Sequence, residues 1–199
     1  MMFKATSWIG YSFSLTVLAA SVVVVGIEGA ISSTFSIQSI ASQIAQKTNI
    51  PILLPSEDTV EKYKFDNNET IYAFVSSASS DADYDVTFNN IPGDVGNAAF
   101  RFSISAQKGK EFQRLPADSN PAYTPKYIQV KLSDSSQALV TTWCGGTACW
   151  STVQWKSNGI LYKVTSKKRQ PYAALAISNS AIKAGDRRLK ASADRVFTN

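Results

Sequence analysis

The sequence predicts an α+β fold, an antiparallel sheet of about seven strands with one helix before it and one after it. Three observations predict this. An early segment has helical apolar spacing, the middle alternates with period two between turn residues, and a late helical segment is bounded by Pro171 and Gly185. A length of 199 residues suits a single domain with an extension, and 44% apolar with 11% aromatic residues supplies its core.

Residues 1–30 read as a signal peptide or signal-anchor: Lys4 is followed by an almost uncharged run from Ser7 to Ile27. The run is about 20 residues, near the length of a membrane-spanning helix. Cleavage after Ala30 would put Glu28 at minus three, and cleavage after Gly26 would put Val24 there. Removal and retention as an anchor therefore both stay open. Residues 31–185 read as one α+β domain and residues 186–199 as a basic tail. In SIQSIASQIAQKT, Ile37, Ile40, Ala41, Ile44 and Ala45 share one helical face. Pro51 and Pro55 then bracket Ile52, Leu53 and Leu54, which blocks a helix and predicts an extended entry into the domain.

Strands are expected in TIYAFVSS, YDVTF, AFRFSIS and YIQVKL. Phe100, Phe102 and Ile104 take one face of the third, and Ile128, Val130 and Leu132 one face of the fourth. Ala138, Val140 and Thr142 alternate with Leu139, Thr141 and Trp143, and WSTVQW resumes the pattern after GGTA. ILYKVTS follows the turn signal Asn158-Gly159. Pro171 suits a helix start, and Gly185 its end.

Both cysteines, Cys144 and Cys149, lie in TWCGGTACW, where the four residues between them suit a tight reversal. Export favours a disulfide across the mouth of the hairpin. Closing so short a loop stabilises by about 2 kcal/mol, so the bond serves chiefly to fix register and the positions of Trp143 and Trp150. A redox motif has two intervening residues, and a structural zinc site needs four ligands, so neither is expected. The chain contains no histidine, which removes His-based nucleophile systems and His-ligated metals. No catalytic, cofactor-binding or metal-binding residue is assigned. Asp81, Asp83 and Asp85 have the spacing of a calcium loop, but Val86 and Pro92 stand where its Gly and Glu are needed. Ser105 with Lys108 and Ser180 with Lys183 match S-x-x-K, a pairing able to activate serine, without its companion motif.

The segments PILLPS, CGGTACWSTVQWKSNGILYKVTSK and YAALAISNSAI resemble an uncharacterised family of exported bacterial proteins of cyanobacterial type. The last strands and helix are also similar to extracytoplasmic domains of unknown function found on anti-sigma factors. The resemblance implies that Trp155, Gly159, Tyr162 and Ser180 hold the second hairpin to the last helix. It implies a fold and a compartment but no reaction. Members often carry a second cysteine pair near GDVGNAAFRF, where this chain has Phe100 and small residues.

Charge is uneven. From Lys167 onward eight cations face Asp186 and Asp194, leaving +6, whereas residues 31–166 carry eleven cations against twelve carboxylates. Arg187, Arg188, Lys190 and Arg195 are therefore the expected contacts to an anionic membrane surface, weak and sensitive to salt. Aromatic residues are not interleaved with these cations, so no nucleic-acid partner is expected. The reading is a non-enzymatic extracytoplasmic binding or sensing module, in the periplasm, in the envelope or secreted. Its ligand or envelope partner stays unnamed. The alternatives are an envelope-associated structural protein using the signal-anchor and basic tail, and a small Ser/Lys hydrolase.

Overall fold

Seven strands form one antiparallel sheet, built as two meanders joined by a crossing. The computed structural model describes residues 36–63, 69–75, 80–93, 96–116, 124–145, 148–167 and 171–188. The expected signal segment, residues 1–30, lies outside them. Among the described residues no helix is long and apolar enough to cross a membrane.

Helix α1 (Ile37–Ala45) is capped by Ser36, whose side chain accepts from the Gln38 amide, and it buries Ile37, Ile40, Ala41 and Ile44, as the spacing predicts. A second helix, α2 (Glu57–Lys62), follows the proline-bracketed entry and was not expected. Its local signals are conventional: Ser56 caps the Thr59 amide, Glu57 and Asp58 occupy the positive first turn, and Lys62 sits in the last. Helix α3 (Tyr172–Ala184) begins after Pro171 and ends at Gly185, whose φ of 71° is readily adopted only by glycine.

The first meander is β1 (Tyr72–Val75), β2 (Asp83–Asn89) and β3 (Phe100–Lys108). The second is β4 (Lys126–Lys131), β5 (Gln137–Gly145), β6 (Ala148–Ser157) and β7 (Ile160–Ser166). The order across the sheet is β1-β2-β3-β7-β6-β5-β4, so the last strand of each meander meets the other at a β3–β7 seam. Asn158 and Gly159 join β6 to β7 with φ of 51° and 73°, the pair of positive values a type I′ hairpin demands.

Alternation gives the sheet two faces. One carries the helices: Val86, Ile104, Val164, Val153 and Val140 form a row across five strands, all with no exposed area. Cross-strand stacking adds to it, with ring centroids 4.2 Å apart for Phe88 and Phe102 and 5.3 Å for Trp155 and Tyr162. The helix cover stops short of β4: Ile128 pairs with buried Val140 yet is 54% exposed, so the apolar face expected for YIQVKL is only partly used. The opposite face is polar and open. Residues 109–116 cross it in the connection from β3 to β4, and Gln113 exchanges two amide hydrogen bonds with Gln154, each 2.8 Å.

Candidate functional site

The open face is organised by register. Thr87, Ser103, Thr165, Thr152, Thr141 and Tyr127 are successive cross-strand partners on β2, β3, β7, β6, β5 and β4, so six hydroxyl side chains form one row across the sheet. Neighbouring strands lie about 4.8 Å apart, which makes the row about 24 Å long. One pleat away, Trp143 and Trp150 are cross-strand partners whose rings stack with centroids 4.4 Å apart. On the other side stand Gln154 and the crossing segment, whose Leu115 amide and carbonyl bond the Tyr127 hydroxyl at 2.7 and 3.0 Å.

These three features enclose a groove of about 170 Å³. Thr141, Thr152 and Thr165 form its sheet-side wall, Trp143 stands at one side, and Gln113 and Gln154 close the other. Thr152 and Thr165 share a hydroxyl contact at 3.3 Å. Thr141 is 2% exposed, and its Oγ1 has no hydrogen-bond partner. A buried hydroxyl with neither donor nor acceptor is costly, about 1–3 kcal/mol, so its place on the wall of a groove marks unfilled bonding capacity.

The groove's lining carries one cation, Lys163, and no carboxylate. The Lys163 ammonium reaches Gln113 Oε1 at 3.5 Å and lies one strand beyond Ser105 from Asp85 in the adjacent row. Burial raises the Asp85 carboxyl above the ordinary aspartate value, while Lys163 and the Thr87 hydroxyl pull it back down.

Cys144 and Cys149 form the expected disulfide, directly opposed with Cα atoms 4.0 Å apart. The strands run further than the spacing suggests, through Gly145 and from Ala148, which pair with each other. The bond belongs to the helix-bearing side by alternation, and the adjacent Trp pair to the open side. It therefore holds the register that stacks the two indoles. A disulfide is compatible with an extracytoplasmic location.

The other sequence candidates scatter. Asp83 Oδ1 accepts from the Ser80 amide at 2.6 Å, while Asp85 faces out of β2, and among the described residues no group of three or more His, Cys, Asp or Glu is placed to hold a metal ion. Ser105 and Lys108 lie three apart on a strand, hence on opposite faces. Ser180 Oγ accepts from the Ser56 amide at 3.0 Å and meets the Ser56 and Thr59 hydroxyls at 3.2 and 2.8 Å. Lys183 makes none of these bonds. A larger cavity of about 690 Å³ opens beside this cluster, and several of its polar groups bond one another, as where Asn179 Oδ1 takes the Ser133 amide at 2.8 Å.

Of the four residues singled out by resemblance, Trp155 and Tyr162 are cross-strand partners and Gly159 makes their turn. Ser180 ties α3 to the start of α2 rather than to the hairpin. The basic residues divide. Lys190 and Arg195 lie outside the described residues, while Arg187 and Arg188 are bound into the domain. The Arg187 amide donates to Ile52 O at 2.9 Å and its guanidinium to Leu54 O and Pro55 O at 3.5 and 3.1 Å. Arg188 donates to Asn49 O and pairs with Asp186.

Sequence reasoning missed the hydroxyl row. Its signal was present in the Ser and Thr residues of VTF, FSIS, VTTW, STVQ and VTS, but only the register aligns one from each into a row. No family model, no curated protein and no solved structure matches the chain.

Proposed function

We propose that this protein is a non-enzymatic binding module working outside the cytoplasm, with its ligand seated in the open-face groove. The observation that carries the reading is the buried Thr141 hydroxyl, unpartnered on the wall of a groove with an indole at its side. Trp155 Nε1 and Ser166 Oγ are also buried without a partner, but of the three only Thr141 lines this groove, where a ligand can supply the missing partner. The disulfide supports the compartment, since thiols stay reduced in most cytoplasms. The committed hydroxyl of Ser180 favours binding over a Ser/Lys hydrolase, because a nucleophile needs its proton taken by the lysine.

Screening a mixed library of charged, polar and apolar small molecules against the isotope-labelled full chain tests the reading. At least one compound should shift the indole N–H signals of Trp143 and Trp150, and lose this effect in Thr141→Val. Compounds that shift signals elsewhere and never at these indoles would refute a groove site.

A further inference from the structure

We infer that the groove takes an uncharged saccharide, one pyranose ring seated against Trp143 and over Thr141, with further rings following the hydroxyl row toward Thr165, Ser103 and Thr87. The inference rests on the groove being the ligand site and adds the chemical class.

Each part of the surface selects against another class. A purely apolar ligand would bury Thr141, Thr152 and Thr165 without offering Thr141 Oγ1 a partner, which leaves its desolvation uncompensated. A strongly anionic ligand would find a single cation, Lys163, already turned to Gln113 Oε1, and a cationic one would find no carboxylate among the lining residues. A pyranose avoids both failures. Its hydroxyls donate and accept, as threonine hydroxyls and the Gln113 and Gln154 amides do, and its C–H face is apolar and suits an indole.

The dimensions argue for a chain rather than a single ring. About 170 Å³ is small beside ordinary small-molecule pockets, so the groove encloses one ring and leaves the rest of a ligand outside. Beyond it the row continues through Thr165 and Ser103 to Thr87, all partly exposed. Hydroxyls repeating at about 4.8 Å offer bonds to successive rings of an extended glycan.

The test titrates the full chain with glucose, N-acetylglucosamine and cellotriose, following the Trp143 and Trp150 indole N–H signals at low salt and at about 0.5 M salt, where charge attraction is screened within a few ångströms. Saturable shifts are expected with at least one monosaccharide, with cellotriose at least tenfold tighter than glucose, and with affinities that salt does not change. Thr141→Val and Trp143→Ala should each weaken binding at least tenfold, while Thr141→Ser, which keeps the hydroxyl, should retain it. The retained variant separates loss of contact from loss of fold. Absence of any saturable shift with all three sugars overturns the inference, as does sugar binding that survives both weakening variants. A charged compound from the mixed library that shifts the same indoles would then leave the binding site standing and the saccharide class refuted. Silence from sugars and library alike would refute both.

Discussion

Asp85 shows how one side chain sets a pH dependence. Its carboxyl is raised by burial on the open face, so the folded protein holds the proton to higher pH than the unfolded chain does. Between the ordinary aspartate value and the raised one, the folded state binds more protons, and stability falls as pH rises. Asp85→Asn should remove that part of the slope, leaving the variant relatively more stable at neutral pH than at pH 3. Urea midpoints of both proteins from pH 3 to 7 measure it, and parallel curves would contradict it. Ser180 is the second residue whose neighbours fix an outcome. Ser180→Ala strands the Ser56 amide and should destabilise by about 1–3 kcal/mol, whereas Lys183→Ala should change stability by less than about 0.5 kcal/mol. Thermal melts of the two variants decide whether the motif is structural. At this scale the cysteine pair was legible, because both partners sit within one short segment. The role of Thr141 was not, since nothing local distinguishes it from Thr142, its neighbour on the other face.

Among the elements, the proline-bracketed entry is held most completely. The Tyr162 hydroxyl donates to Pro51 O at 3.2 Å, and Asp186 Oδ1 accepts from the Ile52 amide at 2.9 Å. The Tyr84 hydroxyl donates to Leu53 O at 3.2 Å and accepts from the Leu53 amide at 3.0 Å. Arg187 takes the carbonyls of residues 52, 54 and 55. Prolines at both ends suit a buried segment flanked by no strand, because each removes one amide that would need a partner. Both tyrosine hydroxyls are pushed up by burial, so they stay protonated donors well into the alkaline range. Residues 186–188 therefore act as a clasp rather than as the start of a solvated tail. Ending the chain after Gly185 should lower stability by at least about 2 kcal/mol, with the bonds to the Ile52 amide and carbonyl and a guanidinium lost, while ending it after Arg188 should preserve the melting transition. Equal melting of the two truncations would refute the clasp. The extended entry and α3 were legible from prolines and glycine. Helix α2 was not, because six residues show no periodicity and its Ser56 cap reads equally well as a turn.

Across the whole molecule, alternation along each segment showed that strands exist and which side chains share a face. It carries nothing about strand order, and an order following the chain would have been the simplest assumption. The actual order inserts β7 beside β3 and sends the crossing segment over the open face, and this crossing is what turns a flat polar surface into a groove. The closing strand of each meander lies inside the sheet, and the opening strand of each lies at a rim.

That arrangement bears on how the protein behaves when concentrated. A sheet with free rims invites a second copy to add its own strand and extend the ladder indefinitely. Here one rim is β1, only four residues long. The other is β4, which begins at Lys126 and ends at Lys131. Lys126 points to the helix-bearing side and Lys131 to the open side, so a second copy docking on this rim meets a cation at each end and on each face. Lysines on an edge strand must be crowded or desolvated before another strand can pair there, so the long rim discourages growth into fibrils even though Ile128 is exposed there.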